Sequence, residues 1–301
     1  MATPPRIFMF SLLTVALFVW CVCLPEPARG QAGSVTAEPQ ASLPPGTPDS
    51  WVETAVRSEL ALIQDDKHPM RYLMRIVNRK GDTTRDIIES AQGNVARLIQ
   101  RDGKPITASE DKDERSRLND ILASPKDFLK HQERDGEGRT YALQLIKLLP
   151  QAGLYSYTPG QPQAPNATAP QVVIDFHPNP AFHPPTMVSE LLTGFKGRVW
   201  IDPQTKTVTR IEGDVIRPVN FGWGLVARVY PGGHIEFEQT LVEGKRWIYS
   251  HLDMNVTIRE IMLRTVNEKT KMGAWNFKLL PAPINFQDAV RELLAERIPL
   301  Q

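Results

Sequence analysis

The residues best suited to chemistry in this sequence lie in one short, proline-rich segment. Asp175 and His177 are separated by the single residue Phe176, and His183 follows His177 by six residues. Residues two apart in a β-strand share a face, so Asp175 and His177 could form a carboxylate–imidazole pair that acts as a general base or binds a metal. Four prolines lie between Pro178 and Pro185, and no third ligand has a recognisable spacing. The sequence therefore predicts neither a catalytic site nor a metal site here.

Other common catalytic signatures are absent from the sequence. It contains no GxSxG, HExxH or GxxxxGK[ST] motif, and no GxGxxG motif that opens a helix. Both cysteines, Cys21 and Cys23, lie in an apolar N-terminal run, so disulfides and thiolate chemistry are excluded from the rest of the chain. We expect a protein that is not an enzyme and that uses no cofactor.

The N-terminus has the pattern of an export signal. One cation, Arg6, precedes an uncharged apolar run from Ile7 to Leu24, and Gly30 and Ala32 stand at the −3 and −1 positions of a cleavage site. This pattern predicts a signal peptide over 1–32, cleaved near Ala32, and a periplasmic protein. The alternative is an uncleaved N-terminal membrane anchor, because the apolar run is long for a signal peptide.

The chain after Ala32 is electrically balanced. The whole sequence has 35 cationic and 34 acidic residues, and removal of Arg6, Arg29 and Glu26 with the signal leaves 33 of each. No overall field would attract nucleic acid, which we exclude as a partner. Residues 33–49 are rich in Pro, Ala, Ser and Thr, which predicts a disordered linker.

The remaining residues, 50–301, are predicted to form a single domain. Its first helix begins at Ser50, since Ser50 and Glu53 have capping-box spacing. A three-strand meander follows, with Lys80-Gly81-Asp82 and Gln92-Gly93-Asn94 as tight turns. A helical insertion occupies 109–150, and β-strand patterns then continue as far as Thr265, before a last helix that begins at Phe286.

In the long C-terminal meander, large apolar side chains occupy alternate positions along each strand, so they share one face of the sheet. An ordinary core face and a ligand-binding face are both consistent with this pattern, and in a curved sheet one face could serve as both. The candidate ligand-binding residues on this face are Ile211, Val215, Leu225, Val229, Phe237, Leu241, Ile248 and Leu252.

Several segments resemble an exported protein family of acidobacteria. They are Glu89–Ile99 (ESAQGNVARLI), Glu114–Leu118 (ERSRL), Phe176–Pro185 (FHPNPAFHPP), Val199–Asp202 (VWID), Val219–Gly224 (VNFGWG) and Gly244–Trp247 (GKRW). This family is similar at fold level to the LolA/RseB-like superfamily of outer-membrane lipoprotein sorting. The resemblance implies an α+β fold, mainly an antiparallel sheet forming a half-open β-barrel, with helices packed on its concave side.

The resemblance also implies a function. It indicates a non-enzymatic periplasmic protein that shelters a lipid or a lipoprotein acyl chain, in outer-membrane lipoprotein sorting, with no cofactor. The alternative is a protein-interaction or envelope-stress sensor domain of the same fold, which would bind an envelope protein partner.

Overall fold

A computed structural model describes residues 43–65, 67–165, 167–221, 227–260 and 265–301. The predicted signal peptide, its cleavage site and Leu225 lie outside these residues. The helices are α1 (Pro48–Ile63), α2 (Ala108–Ala123), α3 (Pro125–Ala152), a 3₁₀ helix (Val188–Thr193) and α4 (Phe286–Ala295). None of these helices is both long enough and apolar enough to cross a membrane.

Thirteen strands complete the secondary structure of the described residues. They are β1 (Met70–Asn78), β2 (Gly81–Ser90), β3 (Gly93–Arg101), β4 (Lys104–Pro105), β5 (Gly153–Tyr157), β6 (Val172–Pro178), β7 (Phe195–Ile201), β8 (Val208–Val215), β9 (Val219–Phe221), β10 (Ala227–Val229), β11 (His234–Val242), β12 (Arg246–Glu260) and β13 (Thr265–Leu279).

The strands form one large antiparallel sheet. Its order is β4-β3-β2-β1-β13-β12-β11-β8-β7-β6-β5, and β10 pairs with both β12 and β9. The predicted α+β class with a mainly antiparallel sheet is confirmed. The finer prediction, a half-open barrel, stays a prediction. Strands β4 and β5 stand at opposite ends, and no pairing among the described strands joins them, so the sheet is not closed into a barrel.

Helix α2 covers the edge strand β3, which β4 pairs over two residues only. The Glu114 carboxylate accepts a hydrogen bond from the backbone N–H of Leu98 (2.7 Å), and Arg117 donates to the carbonyl oxygen of Ala96 (2.5 Å). These side chains hydrogen-bond backbone N–H and C=O groups of β3 that would otherwise be free to pair with another strand. This edge is therefore blocked by a helix and not joined to the opposite edge.

The helices lie on both faces of the sheet. Ile87 and Ile88 are consecutive in β2, so their side chains point to opposite faces. Ile87 belongs to the main core, with α1 and the C-terminal half of α3, whereas Ile88 belongs to a second cluster with α2 and α4. We call this second cluster the α4 core: Ile88, Val95, Leu118, Phe286, Ala289, Val290 and Leu293. The prediction that the helices share one concave side is therefore wrong.

Helix α3 connects the two faces. Its Phe128 stacks on Phe286 of the α4 core with 4.9 Å between ring centroids, whereas its Leu145 and Ile146 are buried in the main core. Between these points α3 passes the β2–β3 turn, where Gln132 donates to the carbonyl oxygen of Asn94 (3.4 Å). With 28 residues the helix is about 42 Å long, which is enough to span both cores.

Some element boundaries differ from the sequence-based expectation. Helix α1 begins one turn early, because Thr47 forms the capping box with Ser50 and Pro48 occupies the first turn. Helix α3 runs through Gly136 without a break. Strand β13 was not predicted, because it has few large apolar residues; β1 and β12 pair with its two edges.

Replacing Gly197 with alanine is expected to lower the free energy of unfolding by about 1–3 kcal/mol. Gly197 in β7 pairs with Gly213 in β8, and a Cβ atom at Gly197 would lie 1.9 Å from the backbone oxygen of Glu212. Backbone cannot move aside as a side chain can. Gly273→Ala is the matched control, since Gly273 also lies in a strand and a Cβ there meets nothing within 4 Å. Urea denaturation of both variants checks this, and equal losses would contradict it.

Candidate functional site

The Asp175–His177 pair does not assemble a catalytic site. Both residues lie in β6, where Asp175 forms an ion pair with Arg198 (2.7 Å) and His177 is exposed. His183 is exposed in the following loop, where its ring hydrogen-bonds the carbonyl oxygen of Ala181. Throughout the described part of the chain, no three His, Cys, Asp or Glu side chains form a group that could hold a metal.

The predicted ligand-binding residues are spread over the main core. Ile211 and Phe237 line an internal cavity. Val215, Val229 and Leu252 are buried in the main core but do not line that cavity. Ile248 is partly buried against the main core, and Leu241 is 37 % exposed. The structure therefore brings two of the described candidates to one cavity.

The cavity lies between the sheet, α1 and the C-terminal half of α3. Its volume is about 60 Å³, so it is small. Most of its lining is apolar, and the polar groups are Glu59, Tyr155 and Tyr249. The described residues that line it are Val52, Ala55, Val56, Glu59, Ile146, Leu149, Tyr155, Phe176, Val199, Ile201, Val208, Ile211, Phe237 and Tyr249.

Glu59 is a buried carboxyl in the wall of this cavity. Its Oε1 accepts from the backbone N–H of Val208 (3.0 Å), and both of its oxygens lie 3.0 Å from Nε2 of Gln239, which donates to them. The Tyr249 hydroxyl donates to Oε2 (3.2 Å). Glu59 therefore ties α1 to three strands, β8, β11 and β12.

The end of the β8–β11 pairing explains why a carboxyl is placed there. The two strands pair only as far as Arg210 and Glu238, so Val208 has no strand partner on that side. Glu59 accepts from the Val208 N–H, and the Gln239 side chain donates to its carbonyl oxygen (2.9 Å). Two side chains thus replace the missing backbone partners of a buried residue.

Burial changes the acid–base behaviour of this group. Burial raises the pKa of Glu59 to about 7, against the hydrogen bonds from Val208, Gln239 and Tyr249, which lower it. Burial and the neighbouring Glu59 charge raise the pKa of Tyr249 well above its usual range. The carboxyl therefore changes charge near neutral pH inside an apolar environment.

The polar groups of the cavity are already occupied within the protein. Glu59 has three donors, and the Tyr155 hydroxyl donates to the carbonyl oxygen of Leu149 (2.5 Å). A catalytic acid or base would need to reach a substrate atom. The arrangement therefore suits the enclosure of an apolar group better than a reaction.

Sequence reasoning missed Glu59, although a signal for it exists. Val52, Val56, Leu60 and Ile63 predict an apolar stripe on α1, and Glu59 is seven residues after Val52 and three after Val56. At 3.6 residues per turn this spacing places its carboxyl on the apolar stripe. A charged residue on a buried helix face needs a partner, which is a reason to single it out.

Known proteins offer few comparisons. Neither a family model nor a curated protein sequence matches this chain. Its structure is distantly similar to an outer membrane lipoprotein-sorting protein domain from Vibrio parahaemolyticus, with 11% identity, a TM-score of 0.32, and coverage of 81% of this chain and 97% of that one. It is also distantly similar to a DUF1329 family protein from Desulfovibrio piger, with 9% identity, a TM-score of 0.29, and coverage of 77% and 93%. TM-scores this low carry no argument about function.

Proposed function

We propose that this chain is a non-enzymatic periplasmic binding protein that shelters an apolar ligand, a lipid or a lipoprotein acyl chain. The ligand lies between the sheet, α1 and the C-terminal half of α3, and the setting is outer-membrane lipoprotein sorting. The observation that carries the proposal is the apolar cavity at this position, whose polar groups are occupied by the protein itself.

The size of the cavity determines how a ligand enters. About 60 Å³ holds only a small apolar group, so an acyl chain requires the cavity to widen. Helix α1 is the element that moves, because its inner face supplies Val52, Ala55, Val56 and Glu59 to the lining. Its outward displacement breaks the Glu59 hydrogen bonds and exposes the apolar side chains of the sheet to the incoming chain.

The direct test is native mass spectrometry of the protein purified gently from the periplasm, followed by solvent extraction and lipid analysis. A stoichiometric lipid that co-purifies with the protein is the expected result. A protein without bound lipid that also fails to bind added fatty acid would contradict the proposal.

Filling the cavity is expected to remove the bound lipid. Ala55 is 3 % exposed and lines the cavity, and in Ala55→Leu three more carbon atoms occupy space that the ligand needs. The expected loss of affinity is about tenfold, which corresponds to roughly 1.4 kcal/mol. The fraction of lipid-bound protein in native mass spectra measures it.

Ala289→Leu is the matched control for this variant. Ala289 is also a buried helical alanine, at 0 % exposure on α4, but it belongs to the α4 core and does not line the cavity. Overpacking costs about 1–3 kcal/mol at either position, so a general loss of stability affects both variants. Equal lipid content in the two variants would show that the cavity is not the binding site.

A further inference from the structure

A second and much larger space lies under the N-terminal half of α3. It is an open cleft of about 1130 Å³. The segment between α1 and β1, the β2–β3 hairpin, α2 and α3 form its walls. None of the described residues that were predicted from the sequence to bind a ligand lines it.

The described side chains of the cleft have an excess of positive charge. Five of them are cationic and three are carboxylates, and the carboxylates are Asp65, Glu89 and Glu133. Asp65 is within 2.9 Å of the His68 ring, and Glu89 forms an ion pair with Arg246 (2.5 Å). The cationic side chains are Lys67, Arg85, Arg117, Arg139 and Arg246.

Three cations of the cleft form no ion pair with a described residue, and they are Lys67, Arg85 and Arg139. Of these, Arg85 is half-buried, whereas the other two are exposed. Burial lowers the pKa of Arg85; the charge of Glu114 opposes this, and those of Arg117 and Arg101 add to it. Glu114 is itself bonded to Arg117 (2.8 Å) and to the Leu98 N–H. A guanidinium in this position favours an anionic ligand.

The cleft also has apolar walls and adjoins the main core. Ile121, Phe128 and Leu129 line it beside the cations. Arg85 is two residues before Ile87 on the same face of β2, and Ile87 is buried in the main core. Helix α3 contributes to the walls of both the cleft and the cavity, since Arg139 lines the cleft and Ile146 lines the cavity. These two residues are seven positions apart, which corresponds to about 10 Å along the helix.

We propose that this cleft binds the phosphate-bearing headgroup of an amphiphile through Arg85 and Arg139, while the apolar chain passes beneath α3 toward the cavity. Arginine suits this role, since its planar donors match phosphate oxygens. The inference rests on the proposed function, because the chain of the amphiphile is the sheltered apolar ligand.

The test compares three probes by calorimetry on the chain without its first 32 residues. Octyl phosphate has both the anion and the chain, octyl glucoside has the chain alone, and inorganic phosphate has the anion alone. In Arg85→Gln, affinity for octyl phosphate is expected to fall about tenfold, as for the loss of a charged hydrogen bond, with octyl glucoside binding unchanged. Arg57→Gln, at an exposed site on α1, is the control and should bind all three probes as the unmodified chain does.

Each other outcome has a separate meaning. Octyl phosphate binding that is unchanged in Arg85→Gln overturns the headgroup site and leaves the proposed function standing. If inorganic phosphate binds as tightly as octyl phosphate, the cleft is a site for free phosphate, and the proposal that its ligand is an amphiphile is overturned. Failure of both octyl compounds to bind the unmodified chain overturns the site and the proposed function together. If Arg85→Gln does not fold, the exposed Arg139→Gln replaces it, with the same expected loss.

Discussion

Replacing Arg97 with methionine is expected to lower the free energy of unfolding by about 3 kcal/mol. Arg97 is 1 % exposed, and its guanidinium donates to the carbonyl oxygens of Leu293 (2.5 Å) and Glu296 (2.9 Å) and to Asp111 of α2 (2.7 Å). The last carbonyls of a helix have no partner within it, so Arg97 satisfies the end of α4 and joins it to α2. Methionine keeps the apolar stem but removes the side-chain donor of both carbonyl oxygens, whereas Asp111 keeps its ion pair with Arg115 (2.9 Å).

The size of this effect reflects two opposing contributions. Removing one partner of a buried ion pair costs about 3–5 kcal/mol. The Nε of Arg97 is buried without a hydrogen-bond partner, which destabilises the folded protein. Methionine removes this unsatisfied group, so we expect a loss at the lower end of the range of about 3–5 kcal/mol. Urea denaturation gives the change in the midpoint, with the m-value as a check on two-state unfolding.

Arg75→Met is the matched control for this prediction. Arg75 forms a bidentate ion pair with Asp82, but half of its side chain is exposed, and solvent-exposed pairs contribute little to stability. We expect its midpoint to remain close to that of the unmodified chain. Similar losses in Arg75→Met and Arg97→Met would show that burial of Arg97 does not set the effect.

The stability of the protein is expected to fall as pH rises through neutrality, and Glu59 is the cause. Its pKa is about 7 when folded and close to 4.5 when unfolded, so folding takes up a proton between these values. The contribution of protonated Glu59 is fully present below about pH 4.5 and is lost as pH rises through about 7. At pH 8 the charged carboxyl costs about 3 kcal/mol, since each pH unit between the two pKa values is worth about 1.4 kcal/mol.

Glu59→Gln isolates this effect. Glutamine resembles the protonated carboxyl: its oxygen can accept from the Val208 N–H and from Gln239, and its amide can donate to the Tyr249 oxygen. The second N–H of Gln239 keeps its bond to the Val208 carbonyl oxygen. We expect Glu59→Gln to raise the free energy of unfolding at pH 8 by about 2–3 kcal/mol relative to the unmodified chain and to change it little at pH 4.5. Denaturant titrations at both pH values measure this difference.

Glu53→Gln removes a carboxylate from the exposed face of the same helix and serves as the control. Its effect on stability should be small and similar at both pH values. If Glu59→Gln also behaved alike at pH 4.5 and 8, the carboxyl of Glu59 would not titrate between these values, and its burial would not control the pH response.

Local sequence patterns predicted the elements whose defining contacts are close along the chain. The turns at Gly81 and Gly93 join β1 to β2 and β2 to β3, and both glycines have positive φ, as tight hairpin turns require. The last helix was predicted to begin at Phe286, and α4 begins there with Asn285 as its cap. These features depend on turn geometry and helical spacing, both of which can be recognised within a few residues.

The candidate site was predicted only in part. Alternation along the strands identified Ile211 and Phe237, which line the cavity. It also selected Leu241, which is 37 % exposed, and it did not select Glu59, which is 6 % exposed. Alternation describes which side chains share a face, but it does not indicate which part of that face is covered by a helix or where a ladder ends.

The sequence by itself determined the hairpin turns, the last helix and the apolar faces of the strands, because each follows from spacing over a few residues. The α+β class with a mainly antiparallel sheet was implied by the family resemblance. The tertiary structure decided that the sheet stays open, that helices cover both of its faces, and that a carboxyl stands in the cavity wall. Glu59 meets Val208, Gln239 and Tyr249, which are 149, 180 and 190 residues away along the chain. Its burial, and with it its pKa, depends on contacts that exist only after these distant strands have packed against α1.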